Sequence, residues 1–169
     1  ATEPSQLIDN LKNQKTNWKS CQNLYFTTPK RIFKKPFIGL ITDEKSLINN
    51  IFYPSSIARE YKGKSELLSV TIVKDHDFSE KKLIATVKNE LQHCCNINEA
   101  SFLKLYNIPK ALPQINNLQY ELAPSETKLK DGVFLAGDTI LNGSLNAAMI
   151  AGERAALGVL EDLDKNIIK

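Results

Sequence analysis

Short apolar runs separated by turn residues dominate the chain from residue 23 to residue 73. Such runs predict β-strands, because proline, glycine and acidic residues break them at intervals too short for helices. The connections between the first three runs are too short for parallel crossovers, which favours antiparallel, meander-like pairing. The predicted strands are residues 24–28, 37–41, 50–53 and 66–73.

A helical spacing replaces this pattern over residues 79–95, and Ser79 is a suitable helix cap. Residues 102–108 then alternate again, which predicts a strand ended by Pro109 and Pro113. The apolar side of the helix comprises Leu83, Ile84, Val87 and Leu91, and one face of the strand comprises Phe102, Lys104, Tyr106 and Ile108. These elements predict an α+β fold, mainly an antiparallel sheet with covering helices. An earlier helix capped by Ser5 and an anchoring role for Trp18 are also expected.

Residues 133–136 form an apolar run between Gly132 and Gly137, which predicts a buried strand. Asp138 follows where the chain would leave the sheet. Open α/β sheets bind ligands beyond the carboxyl ends of their strands, so the Asp138 carboxylate is a candidate acceptor for ligand hydroxyls.

A turn at Asn142-Gly143 is followed by Ser144, which can cap a helix running to about residue 163. The predicted inward face comprises Leu145, Ala148, Gly152, Ala155, Ala156 and Val159. Gly152 costs about 1 kcal/mol of helix propensity relative to alanine, so its presence predicts a close approach to a strand or to a cofactor. The backbone N–H groups of Gly143, Ser144 and Leu145 would face an electron-rich ligand atom at the helix start. The alternative is a strand, turn and capped helix with an incidental aspartate.

The runs GVFLAGD and GS-LNAAMIAGERAA resemble the C-terminal flavin-binding motif of the FAD-dependent amine oxidase and phytoene desaturase superfamily, which includes protoporphyrinogen oxidase. The resemblance implies that Asp138 holds the ribityl or pyrophosphate part of FAD, flanked by Gly137 and Gly143. It also implies that the backbone of Ser144 and Leu145 points at the flavin ring. Residues 1–115 would then be a substrate domain, beginning at the end of a returning strand. Residues 116–169 would be the C-terminal strand, turn and helix of a Rossmann-like FAD-binding domain.

The glycine-rich turn that begins FAD binding in that family is missing from this sequence. The chain is therefore expected to be a C-terminal fragment that is inactive alone and needs an N-terminal FAD-binding half as its partner. No catalytic side chain is expected, because the cofactor performs the redox chemistry. The relatives act on amines, polyenes or porphyrinogens, so a small hydrophobic or amine substrate is implied.

Two alternatives remain open at this stage. The chain could be a non-catalytic module that binds a ligand or protein, with a structural Asp138. A thioredoxin-reductase-like enzyme has a similar Gly-Asp pair, but it needs a Cys-x-x-Cys pair, and this chain has only adjacent Cys94 and Cys95.

Composition sets further bounds. The 169 residues, 42% of them hydrophobic, can bury a core for one domain or one domain plus a fragment. A net charge of +3, from 22 basic and 19 acidic residues, does not indicate nucleic-acid binding. No apolar run is long enough to span a bilayer and no signal peptide is evident, so a cytoplasmic protein is expected. Neither a disulfide framework nor a metal site is predicted from Cys21, His93, Cys94 and Cys95.

For several other residues, a surface or packing role is favoured over a functional one. His76 and His93 stand alone in polar surroundings and are expected at the surface. Aromatic residues near a flavin could line a pocket, but packing is the favoured reading for Phe102, Tyr106 and Tyr120. The basic stretch containing Lys30 to Lys35 is favoured as a solvated loop over a phosphate-binding patch.

Overall fold

The computed structural model of the protein describes residues 16–57 and 63–167, with side chains as far as residue 164. The predicted strand end at residues 1–4 and the helix capped by Ser5 lie outside these residues. The chain divides into two compact units, one formed by Ser20–Pro109 and the other by residues 16–19 and 110–167 among those described. The predicted domain boundary between residues 115 and 116 follows the end of the five-stranded sheet at Gln114, whereas the two units divide between Pro109 and Lys110.

The principal sheet has five strands in the order β2-β3-β4-β1-β5. Each of the three pairs β1–β4, β3–β4 and β2–β3 is antiparallel, so the predicted α+β class with an antiparallel sheet is confirmed. The strands are β1 (Asn17–Thr28), β2 (Gly39–Leu40), β3 (Ile48–Phe52), β4 (Glu66–Ile72) and β5 (Ser101–Gln114).

One face of this sheet packs against helix α1 (Glu80–Cys95). The β1–β4 register sets Leu24 opposite Val70 and Phe26 opposite Leu68, and all four side chains are fully buried. The predicted apolar face of α1 meets them through its buried residues Leu83, Val87 and Leu91. The predicted cap is confirmed, because the Lys82 N–H donates to Ser79 Oγ at 3.4 Å.

Two strands are much longer than the sequence predicts, whereas β2 has two residues instead of the predicted five. β1 includes the polar residues from Asn17 onwards, and β5 runs through Pro109 and Pro113 instead of ending there. β5 lies at the sheet edge, where a proline's missing N–H costs no ladder hydrogen bond.

The predicted single face of β5 is wrong. Phe102 makes an edge-to-face contact with Phe26, whereas Tyr106 makes one with Tyr25, the preceding residue of β1. Successive residues of a strand point to opposite faces, so Phe102 and Tyr106 lie on opposite sides of the sheet.

The C-terminal unit contains an antiparallel hairpin of β6 (Lys128–Lys130) and β7 (Val133–Phe134), turning at Gly132 with φ +73°. The prediction of a buried strand over residues 133–136 is therefore wrong, since the paired strand has two half-buried residues. Within the described residues it joins no parallel sheet, and the Rossmann-like part stays a prediction.

Helix α2 (Leu145–Ile167) begins where the sequence predicts, but its buried row is displaced by about one residue from the predicted row and shares only Ala155 with it. Its buried residues are Ala147, Ala151, Ala155 and Gly158. Ala147 and Ala151 pack with Leu122 and Leu141, whereas Leu145 is 78% exposed. The close approach predicted at Gly152 occurs at Gly158 instead, and a Cβ at Gly152 would meet no atom within 4 Å. Neither helix in the described ranges has the length and apolar character that crossing a bilayer requires.

The buried phenol of Tyr53 gives a stability prediction. Its side chain is 1% exposed, and its hydroxyl makes no hydrogen bond of good geometry with the described residues. Burial raises the pKa of Tyr53 above its ordinary value of 10.0, because it disfavours the charged phenolate, although the Thr28 side chain and the Ile32 backbone are close enough to lower it slightly.

We therefore expect the free energy of unfolding of Tyr53→Phe at neutral pH to equal that of the unsubstituted protein, or to exceed it by about 1 kcal/mol. The stability linked to the protonated phenol is present below pH 10.0 and is lost as pH rises through the folded-state pKa. Urea unfolding at neutral and strongly alkaline pH should show a smaller alkaline loss for Tyr53→Phe than for the unsubstituted protein. Tyr120→Phe, at an exposed site, is the control, and parallel stability profiles for all three proteins would contradict the prediction.

Candidate functional site

The candidate site is built around an unusual backbone at Gly137. Its φ of 136° and ψ of 173° lie in a region that side-chain-bearing residues essentially avoid. A Cβ placed there would meet no atom within 4 Å, so backbone strain rather than crowding requires glycine. The chain changes direction at this residue and enters the short 3-10 turn Asp138–Ile140.

Asp138 is the first residue of that turn and is half-buried. Its carbonyl accepts the Leu141 N–H at 3.5 Å, whereas its carboxylate makes no hydrogen bond or ion pair within the described part of the chain. The turn packs against α2, and Leu141, at its end, is almost fully buried in the core of this unit. A rigid turn therefore holds an aspartate whose side chain has no structural partner there.

The connection from the turn to α2 is fixed by Asn142 and Ser144. Asn142 Nδ2 donates to the Gln119 carbonyl at 2.9 Å, and Asn142 Oδ1 accepts the Ser144 hydroxyl at 2.7 Å. Ser144 Oγ in turn accepts the Ala147 N–H at 3.1 Å. This last bond caps the helix in the manner that the sequence predicts.

The backbone donors predicted at the start of α2 differ in availability. The Ser144 N–H donates to the Asn142 carbonyl at 2.7 Å and is therefore already engaged. The N–H groups of Gly143 and Leu145 have no acceptor in the described ranges. Gly143 also lies against β5, because a Cβ there would be 2.7 Å from Leu112 Cδ1 and 3.3 Å from Pro113 Cδ.

These residues form a chemically coherent set. A carboxylate without partners can accept ligand hydroxyls, and the unengaged N–H groups at a helix start can donate to anionic or carbonyl oxygens. Gly137, Asp138, Gly143, Ser144 and Leu145 thus fall on one continuous turn and helix start, and their flavin-binding roles stay predictions. Among the described residues, no group of three side chains could hold a metal ion.

An ion-pair cluster joins the hairpin to α2. Lys128 Nζ lies 2.7 Å from Asp162 Oδ1 and 3.1 Å from Asp131 Oδ1. The hydrogen bond to Asp162, followed by the one to Asp131, raises the pKa of Lys128 above its ordinary value of 10.5. Through this contact Lys128 joins the outer part of α2 to β6.

His76 is not isolated, contrary to the sequence-based expectation. It is half-buried, its Nδ1 accepts the Phe78 N–H at 3.2 Å, and its Nε2 lies 2.7 Å from Gln22 Oε1. Gln22 Nε2 then donates to Asn107 Oδ1 at 2.8 Å. This polar chain borders a cavity of about 420 Å³ whose lining also includes Cys21 and Lys74. Only long-range strand pairing unites these residues, and no local sequence signal could have found them.

The other residues singled out from the sequence have structural or surface positions. His93 and Cys94 are exposed, all three cysteines are free, and burial, with Cys94 beside it, raises the pKa of Cys95. Tyr120 is largely exposed. Trp18 lies in β1, with Lys110 Nζ 5.8 Å from the centroid of its ring.

The two faces of the sheet differ chemically. The apolar face is covered by α1. The opposite face is polar: Ser69 Oγ donates to Asn23 Oδ1 at 2.9 Å, and Asn23 Nδ2 donates to Tyr25 Oη at 3.2 Å.

Comparisons with known proteins do not identify a family for this chain. No protein-family model matches the chain, and no curated protein matches it. Among solved structures, it is similar to the PF1083 protein from Pyrococcus furiosus, with a TM-score of 0.48 and 20% sequence identity. The similarity covers 95% of this chain and 36% of that one, so this chain spans little more than a third of that protein.

Proposed function

We propose that this chain is the substrate domain and C-terminal flavin-binding segment of an FAD-dependent oxidoreductase. The observation that carries the proposal is the pairing of Gly137, in a backbone conformation that requires glycine, with an Asp138 carboxylate that has no partner in the described chain. An aspartate that only stabilised its own turn would accept a nearby backbone N–H. Asp138 accepts none, which favours a ligand-binding role over the structural one.

The site residues fit an FAD molecule in their chemistry. The Asp138 carboxylate would accept ribityl hydroxyl groups, and the N–H groups of Gly143 and Leu145 would donate to oxygens of the cofactor. When bound, FAD would supply the redox chemistry by accepting a hydride equivalent from the substrate. The asparagine and serine cap would keep α2 at a fixed distance from the turn that carries Asp138.

The proposal includes the context that the resemblance implies. An N-terminal half would supply the glycine-rich turn, the substrate would be a small hydrophobic molecule or an amine, and the protein would act in the cytoplasm. The 169-residue chain alone would be inactive and would bind FAD weakly or not at all. Oxidase turnover and stoichiometric yellow colour of this chain alone would contradict that expectation.

The decisive experiment is Asp138→Ala in the complete gene product, including any sequence that precedes Ala1. We expect its FAD dissociation constant to rise roughly tenfold or more, because hydrogen bonds to a charged acceptor are lost. Flavin fluorescence and the absorbance spectrum of the purified protein measure this change.

Asp164→Ala is the matched control, since Asp164 is an exposed aspartate on α2. Both variants should retain the circular dichroism spectrum of the parent protein. If the parent protein binds no FAD, or if Asp138→Ala binds it as the parent does, the flavin assignment fails and a non-catalytic binding module is favoured.

A further inference from the structure

The loop between β1 and β2 combines positive charge with exposed apolar side chains, and neither property is used by the proposed flavin site. We call residues 30–40, which include the short strand β2, the basic loop. It carries Lys30, Arg31, Lys34 and Lys35 and contains no acidic residue. Arg31 is paired with Glu66 at 3.1 Å, whereas no ion pair involves the three lysines in the described ranges.

The end of the basic loop next to β3, which we call its tip, is unusually apolar for a solvent-facing segment. Phe37, Ile38 and Leu40 are 59%, 64% and 70% exposed. Three of the four residues from 37 to 40 are large and apolar, and together they form an exposed apolar patch of this unit. Such a patch beside lysines indicates a contact surface rather than an ordinary solvated loop.

The base of the loop is anchored, so the patch has a defined direction. Phe33 packs over Gly39, where a Cβ would come within 2.6 Å of Phe33 Cζ, and its ring makes an edge-to-face contact with Tyr53 at 6.3 Å. A tight turn follows, in which the Phe37 N–H donates to the Lys35 carbonyl at 2.8 Å. Consequently Phe33 points inwards while the lysines and the apolar tip are exposed.

We propose that the basic loop docks this protein on the surface of an anionic lipid bilayer. Apolar side chains at the tip would enter the interface between headgroups and acyl chains, and Lys30, Lys34 and Lys35 would contact anionic headgroups. A lipid surface fits better than a folded acidic protein, because the tip offers aliphatic and aromatic groups with no hydrogen-bonding side chain among them. This inference is independent of the flavin assignment.

The test is flotation of the full chain with vesicles of phosphatidylcholine and with vesicles containing about a third phosphatidylserine. Each lysine near an anionic surface contributes about a fivefold gain in partitioning, so binding should require phosphatidylserine and weaken with added salt. Lys34→Glu/Lys35→Glu should lower partitioning at least about twentyfold. Phe37→Ser/Ile38→Ser should lower it at least about tenfold, because two apolar side chains no longer leave water.

Matched controls lie elsewhere in the same unit. Lys81→Glu/Lys88→Glu changes charge equally on the exposed side of α1, and Val73→Ser/Leu103→Ser removes two apolar side chains that are 51% and 50% exposed. Both should bind like the parent. Parent-like binding by the loop variants, or equal binding to both vesicle types, would overturn the proposal. Binding to RNA or to soluble inositol hexakisphosphate without binding to vesicles would also overturn it. Loop-dependent dimerisation without vesicle binding would do the same.

Discussion

Replacing Gly158 with valine should lower the free energy of unfolding by about 3 kcal/mol, because α2 has no room for a side chain at this residue. A Cβ at Gly158 would lie 2.7 Å from the Pro124 carbonyl oxygen and 3.1 Å from both the Phe134 ring and Thr127 Oγ1. The closest of these atoms is backbone, so relief requires the helix to move away. Gly158→Ala should cost less, since alanine regains up to about 1 kcal/mol of helix propensity.

Gly152 provides the matched control on the same helix. Its Cβ position is open, so Gly152→Ala should raise the free energy of unfolding by up to about 1 kcal/mol. Urea denaturation followed by circular dichroism measures both changes. Equal effects of alanine at the two glycines would contradict the packing of α2 against the Pro124–Thr127 turn and β7. Displacement of α2 should also weaken the binding of any ligand held beside Asp138.

Replacing Glu90 with alanine should destabilise the sheet unit by about 3 kcal/mol, because several donors lose a charged acceptor together. Glu90 Oε2 accepts the Ser46 hydroxyl at 2.6 Å, the Leu47 N–H at 3.0 Å and the Ile48 N–H at 3.1 Å. Ser46 and Ile48 are buried, so water cannot replace the lost acceptor freely. Glu90 thereby ties α1 to the beginning of β3.

Glu90→Gln keeps one acceptor oxygen and should lose less stability than Glu90→Ala. Asn89→Ala changes the adjacent exposed position of the same helix and should be nearly neutral. Chemical denaturation at neutral pH compares the three variants. A loss at Glu90→Ala no greater than that at Asn89→Ala would show that the carboxylate contributes no net stability.

Local periodicity predicted the parts of the fold in which one face is strongly apolar. Helix α1 was predictable because leucine and valine mark a single side of it and Ser79 caps its start. Strand β4 follows its alternating pattern closely. The helix cap at Ser144 was also predictable, because a serine after an Asn-Gly turn is a strong local cap signal. In each case neighbouring residues alone determine the outcome.

The remaining features depend on distant partners. Alanines occur on several sides of α2, so the sequence does not mark one side as the buried one. Contacts with Leu122 and Leu141 decide which row is buried, and the predicted row was displaced by one residue. The predicted continuation of the buried strand after Val133 failed because β6 supplies only a short partner. The chain from His76 through Gln22 to Asn107 likewise requires three strands or loops that are far apart in sequence.

The borders of the five-stranded sheet have a consequence for pairing with other chains. Exposed strand borders are templates for pairing with other chains. Here β2 presents only Gly39 and Leu40, and β5 contains Pro109 and Pro113, which have no amide hydrogen to offer an incoming strand. Either border would therefore be a poor template for an incoming strand of another chain.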